Sequence, residues 1–306
     1  MSEAQPITTA SPLEVAIAAL VADGTSRLVE NEAGIRDDSD IEHVHHARVG
    51  ARRLRSNLST FKRLVDADWR QTIRAELAWI GSLLGEVRDA DVLSVWLEAQ
   101  AADLDPADRS GLLALLDTLA DERRLALGAL LEGLDGDRYA ALIAALVDAT
   151  TAPPLSIAAD GATAGASDDA LWAAFVPLIG HEWKRLRRQI AALGAEPDLG
   201  ALHGARIRAK KLRYALEALE FVDPEHDEGQ KEWAGLVALL QDELGELHDT
   251  VSREAWLRRV AGGGQAPLVA GQLLERNRVR RAELLASWPR VWKRLRAKHL
   301  RAFLSG

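Results

Sequence analysis

Cysteine is absent from the 306 residues, methionine occurs once, tyrosine twice and phenylalanine four times. The lack of cysteine excludes a disulfide scaffold, thiolate chemistry and cysteine-bound zinc or iron–sulfur centres. No apolar run reaches the ~18 residues that a membrane span requires. The Ser/Thr-rich start has no basic region followed by an apolar block, so the expected compartment is the cytoplasm. Runs of β-branched residues are missing too, which argues against a sheet. With 48% hydrophobic and 27% charged residues, the chain can still bury a sizeable core.

The net charge of −8 hides a strong segregation. Residues 1–41 carry eight acids and two bases, whereas residues 43–63 carry six bases and no acid. Residues 203–214 hold five bases and no acid, and residues 276–301 hold ten bases with only Glu283 opposing them. A bound ion feels the local field, so a negative total does not exclude an anionic partner.

Leu and Ala dominate, and apolar residues recur at three- and four-residue spacing, so the fold is expected to be all-α. The pattern predicts helices at 12–34, 41–66, 68–101, 106–133 and 137–150, then at 168–194, 198–222, 226–261, 267–287 and 289–304. Pro177 is expected to kink its helix without ending it. Residues 151–167 lose periodicity and read as a linker at the midpoint, and residues 1–11 as a disordered start.

The halves 12–150 and 168–304 repeat each other. His45–Arg55 (HHARVGARRLR from residue 45) aligns with His203–Arg213 (HGARIRAKKLR) at an offset of 158 residues. The shared pattern is H-x-x-R-[VI]-x-A-[RK]-[RK]-L-R. At an offset of 160, Leu84-Gly85-Glu86-Val87-Arg88-Asp89 matches Leu244-Gly245-Glu246-Leu247-His248-Asp249. Two ordered matches imply an internal duplication and a pseudo-symmetric pair of four-helix-type bundles.

Written as a helix, the first repeat puts His45, Arg48, Arg52, Arg55, Ser59 and Lys62 on one face. Turned by ~100° is an apolar stripe, Val44, Ala47, Ala51, Leu54, Leu58, Phe61 and Val65. The second repeat gives His203, Arg206, Lys210 and Arg213 beside Leu202, Ala205, Ala209, Leu212, Leu216 and Leu219. A helix face meant only for solvent mixes signs, because opposite charges four apart stabilise it. Like charges in a row oppose one another unless a multiply charged anion offsets them, and guanidinium and ammonium groups suit phosphate oxygens. Arg70 falls outside both stripes.

Other constellations are weaker. His43, His45 and His46 with Glu42 lack the further ligands of a metal site and sit among arginines that would repel a cation. His45 and His203 are better read as phosphate donors, adding a pH response near ~6.5, or as groups that hold an arginine in place. Asp89 and Asp249 read as acceptors that orient a base. His181-Glu182 lacks the second histidine of a zinc-protease helix, and Gly262–Gly264 reads as a turn. The nine tryptophans are spread over the helices, as bundle cores require, and do not form a stacking platform.

His45–Arg55, Leu84–Asp89, His203–Tyr214 and Leu244–Asp249, in that order, resemble the CHAD family (conserved histidine α-helical domain). The resemblance runs from about residue 12 to 304 and implies two pseudo-twofold-related bundles with a basic surface or channel between them that binds inorganic polyphosphate. No cofactor, metal, catalytic residue or membrane is implied. Phosphate or sulfate ions would occupy the same site, and association with polyphosphate granules would follow. Family members often follow a CYTH triphosphatase domain; none fits here, so the expectation is a stand-alone module. The binding residues carried over are His45, Arg48, Arg52, Arg55, His203, Arg206, Lys210 and Arg213. A second tier comprises His46, Arg53, Lys62, Arg88, Arg124, Arg208, Lys211, Tyr214, His248 and Arg278. Gly50, where the second repeat has Arg208, is expected to weaken one contact. The rival expectations are a phosphatase or phosphotransferase, which needs a carboxylate-held metal or an activated nucleophile, and a nucleic-acid binder, which needs aromatics among the bases. The acid-free, aromatic-poor stripes argue against both.

Overall fold

Aspartates set several helix starts. Asp40 accepts from the backbone N–H of Glu42 at 2.9 Å, Asp66 from those of Asp68 and Trp69 at 3.1 and 2.9 Å, and Asp198 from that of Ala201 at 2.8 Å. Each satisfies donors that the first helical turn leaves unpaired. The chain, a computed structural model, is described over residues 12–156, 168–194, 197–222, 228–261 and 266–299, with Arg301 and Leu304. Among these residues the α-helices are α1 (Pro12–Arg36), α2 (Ile41–Thr60), α3 (Ala67–Gln100), α4 (Arg109–Asp135), α5 (Asp137–Thr151), α6 (Asp168–Ala191), α7 (Leu199–Val222), α8 (Glu228–Val260) and α9 (Ala266–Leu295). The fold is all-α, and a lone bridge between Val65 and Leu155 is its nearest approach to a sheet among the described residues. Residues 1–11, expected to be a disordered start, and residues 157–167 of the expected linker 151–167 lie outside the described residues.

Two expected boundaries are corrected. The helix expected to reach residue 66 ends at Thr60, where the N–H of Phe61 bonds to the carbonyl of Asn57 at 2.8 Å. Beyond it the chain turns, because Asp66 is engaged as the cap of α3 and Leu64 and Asp66 pair with Ser156 and Pro154. The helices expected at 267–287 and 289–304 are one element as far as Leu295, with Pro289 inside it. Proline removes one backbone bond, but Trp288, Val291 and Leu295 lie on one buried face across it, and their burial holds the helix together. Residues 106–108 form a 3-10 turn leading into α4.

In the first half α2 packs on α1 and α3, α3 on α4, and α5 returns to α1; in the second, α7 packs on α6 and α8, and α8 on α9. Both apolar stripes are buried, with Ala51, Ala205 and Ala209 fully so, and α2 also packs against α7. One hydrophobic cluster joins the halves, uniting Leu54, Ile80 and Leu142 with Phe175, Leu212 and Trp233. In it the rings of Phe61 and Phe175 meet at 4.4 Å. A second cluster ties Leu93, Leu97 and Leu115 to Leu257, Val269 and Leu273. Between the two clusters runs a cleft.

Candidate anion-binding cleft

The cleft has a volume of about 650 Å³ and draws its walls from α2, α3, α4, α7 and α8. His45, Arg48 and Arg52 enter it from α2, Arg88 and Asp89 from α3, Arg206 and Lys210 from α7, and His248, Asp249 and Arg253 from α8. Of the stripe residues, His45, Arg48 and Arg52 of the first half and Arg206 and Lys210 of the second therefore face one concave surface.

The two signature arginines are seated alike. Arg48 donates to the carbonyl of Gly85 at 3.2 Å and to Asp89 at 2.6 Å. A Cβ placed on Gly85 would lie 3.5 Å from the Arg48 guanidinium, and one on Gly245 would lie 3.9 Å from Nε of Arg206. A mid-helix glycine costs roughly 1 kcal/mol relative to alanine. In both L-G-E segments the bare backbone leaves room for an arginine to lie against the helix. Arg206 meets no acid as closely as Arg48 meets Asp89, and its buried Nε has no hydrogen-bond partner among the described residues. Across the halves, Nε of Arg52 donates to the hydroxyl of the buried Tyr214 at 2.5 Å, so the second half aims a first-half guanidinium.

Electrostatically the cleft floor is crowded with like charge. Burial, followed by Arg52, Arg206 and Arg48, pushes the Lys210 ammonium down to about 6. Burial and the charges of Arg206, His203 and Lys210 hold His248 down at about 4. Acids only partly compensate. Glu122 is held at the rim by Arg259 at 2.7 Å and also accepts from the indole N–H of Trp256. Asp89 is 74% exposed. Asp249 is pushed upward by burial, while Arg206 and Arg253 oppose that shift.

A family model described as CHAD domain matches residues 19–258. The chain belongs to the CHAD family. Among solved structures, PptA from Streptomyces chartreusis is similar at 22% identity and a TM-score of 0.72, covering 93% of this chain and 100% of its own. The CHAD domain from the plant Ricinus communis is similar at 24% identity and a TM-score of 0.64, covering 99% of this chain and 95% of its own. No curated protein sequence matches this one. No CYTH domain is detected within the chain.

The other candidate residues of this CHAD chain are placed as follows. His203 sits behind the cleft wall: its Nδ1 is 3.2 Å from Nδ1 of His248, with the rings 4.5 Å apart. One of the two nitrogens must donate and the other accept, which suits a pair of neutral imidazoles. Burial and nearby cations also lower His45 and His203, so the imidazole response expected near ~6.5 moves to lower pH. Arg53 and Arg213 converge on Glu217 at 3.0 and 2.8 Å, with Arg213 also 3.1 Å from Asp242. They form a network away from the cleft. Arg55 and Lys62 are exposed and His46 faces α1 beside Asp23 and Glu30. Arg124 and Arg278 pair with Asp121 and Glu275 on the surface. Arg208 and Lys211 lie off the cleft, on another face of α7.

Gly50 removes no contact, contrary to the sequence expectation. It is buried against α1, where a Cβ would come 2.6 Å from Cβ of Arg27 and 3.1 Å from the carbonyl of Gly24. Sequence reasoning missed Arg253, which lines the cleft and stacks over Trp96 at 5.0 Å. Its position four residues after Asp249, on the same helix face, was the available signal.

Proposed function

We propose that this protein binds inorganic polyphosphate in the cleft between its halves and does not hydrolyse it. The observation that carries the reading is the gathering of Arg48, Arg52, Arg206 and Lys210, two from each half, around one cleft at the expense of the lysine's own charge. Buried like charges oppose one another, and a polyanion is the ligand that turns the opposition into attraction. Family membership supports the same ligand, since polyphosphate binding is what the resemblance implies. The aspartates are consistent with supporting roles, Asp89 bonded to Arg48 and Asp249 in the field of Arg206 and Arg253. Trp256 is the cleft's aromatic wall and is only 7% exposed, which leaves little ring face for base stacking. Bound chains would bring the protein to polyphosphate granules.

The direct test titrates the intact protein with long-chain polyphosphate and with a DNA oligomer of equal total charge at fixed salt. Polyphosphate should bind at least tenfold tighter. Equal affinity for both would reduce the cleft to a general polyanion surface. Steady phosphate release with magnesium or manganese, abolished by Asp89→Asn or Asp249→Asn, would show that the site is catalytic.

A further inference from the structure

A second cluster of cations lies beyond the cleft. It is built from Arg55 on α2, Arg70 and Arg74 on α3, Arg185 on α6, and Arg208 and Lys211 on α7. Arg74 is lowered by burial and by the charges of Arg70 and Arg55. Lys211 is lowered by burial and by Arg208, Arg185 and Arg74, with Glu182 the acid that opposes this. Glu182 is itself bound to Arg185 at 3.2 Å. The Nε atoms of Arg70 and Arg74 are buried without a hydrogen-bond partner among the described residues. Arg70 also closes the first turn of α3, the end where the helix dipole disfavours a cation. Neither local pairing nor the dipole accounts for charge placed there.

Helical spacing connects this cluster to the cleft. Arg70, Arg74, Ala78, Gly81, Gly85 and Arg88 recur every three or four residues along α3, and so lie on one face. The residues between the two cationic ends are alanine and glycine, and the space above Gly81 is open, with no neighbouring side chain within 4 Å of where its Cβ would stand. From Gly85 to Arg74 is eleven residues of helix, or about 16 Å at 1.5 Å per residue. Arg55 continues the α2 stripe past Arg52 in the same direction.

Building on the cleft reading, we propose that Arg55, Arg70 and Arg74, with Arg208 and Lys211, form a second station for the same phosphate chain, so that a long polyphosphate leaves the cleft along α3 and is held at both places. A short oligophosphate fills the cleft alone. Once one end is held, the second contact is intramolecular and adds affinity through effective concentration.

The test compares tripolyphosphate with long-chain polyphosphate on the full chain, wild type and Arg70→Gln/Arg74→Gln. The double variant should lose at least tenfold in affinity for the long chain and less than twofold for tripolyphosphate. Arg70→Lys/Arg74→Lys should restore most of the long-chain affinity, and unchanged helical circular dichroism on melting checks that the fold is kept. Equal losses for both ligands, or no loss for either, would overturn the second station while leaving the cleft in place. A wild-type chain that binds neither ligand would overturn the cleft reading itself, and the second station with it.

Discussion

Lys210 offers the sharpest quantitative test, because burial and the neighbouring cations hold its pKa at about 6. A polyphosphate strand beside it reverses the charge environment and restores the proton, so binding takes up close to one proton wherever the free lysine is neutral. Affinity should therefore fall about tenfold per pH unit above pH 6, and at pH 8 the reprotonation costs about 3 kcal/mol, on the order of a hundredfold. Folding shows the opposite linkage. Between about 6 and the ordinary lysine value of 10.5, the unfolded chain holds a proton that the folded chain does not, so this group makes stability rise with pH across that window. Long chains are the right ligand, since their few terminal phosphates, which titrate near ~6, are then a negligible fraction of the charge. Calorimetry at pH 7.5 in two buffers of different ionisation enthalpy reads the proton uptake directly. Wild type should take up roughly one proton, and Lys210→Met should take up almost none and lose the pH slope between 6.5 and 8.5. The histidines do not imitate this signal, because His248 lies near 4 and His45 and His203 are lowered too. A flat pH profile in wild type, or an equal slope in Lys210→Met, would refute the reasoning.

Further outcomes follow from the same geometry. With four cleft cations engaged at pH 6, the slope of log affinity against log salt should be roughly −3, taking about −0.7 per neutralised charge as for single-stranded nucleic acid, and Arg52→Gln should reduce its magnitude by that amount while Arg124→Gln leaves it unchanged. Gly85→Ala and Gly245→Ala should stabilise the fold by up to ~1 kcal/mol in urea titrations, since the added Cβ makes ordinary contacts, whereas Gly85→Leu or Gly245→Leu should displace the facing arginine and weaken binding at least tenfold. Tyr214→Phe should lower affinity by about 0.5–1.5 kcal/mol at little cost to the melting temperature, by freeing the Arg52 guanidinium. Leu54→Ala, at a fully packed position, should cost roughly 2–5 kcal/mol of stability by denaturant titration.

What was readable in the sequence was whatever obeys helical spacing. The apolar stripes of α2 and α7 are buried residue for residue, and the adjoining basic stripes supply Arg48, Arg52, Arg206 and Lys210 to one cleft. What escaped depends on partners remote in the chain. Arg213 continues the stripe by spacing, but Glu217 on its own helix and Asp242 on α8 capture it. Arg53 is drawn to the same Glu217 from the other half. Arg253 was overlooked because the residue 160 positions earlier is Leu93, so the spacing that matches Asp89 to Asp249 could not flag it. Pro289 read as a helix boundary because spacing does not reveal how much apolar surface lies on both sides of it.

The overall negative charge and an anionic ligand are compatible because many acids are paired with arginines away from the cleft. Glu32 and Asp135 hold Arg36 at 2.8 and 2.5 Å, Asp38 and Asp91 clamp Arg123, each at 2.6 Å, and Glu246 and Glu283 hold Arg280 at 2.8 and 2.9 Å. Such pairs are nearly neutral beyond a screening length of about 8 Å at physiological salt. The cleft differs in that burial lowers Lys210 and Arg206, and the charges of Arg52 and Arg48 add to that burial, while Asp249 opposes it. A phosphate chain approaching the cleft therefore meets a field set by the side chains that line it, six arginines and lysines against four acids, and hardly at all by the total. For this reason substitutions of the clamped arginines should alter stability and leave polyphosphate affinity alone, whereas substitutions in the cleft should do the reverse.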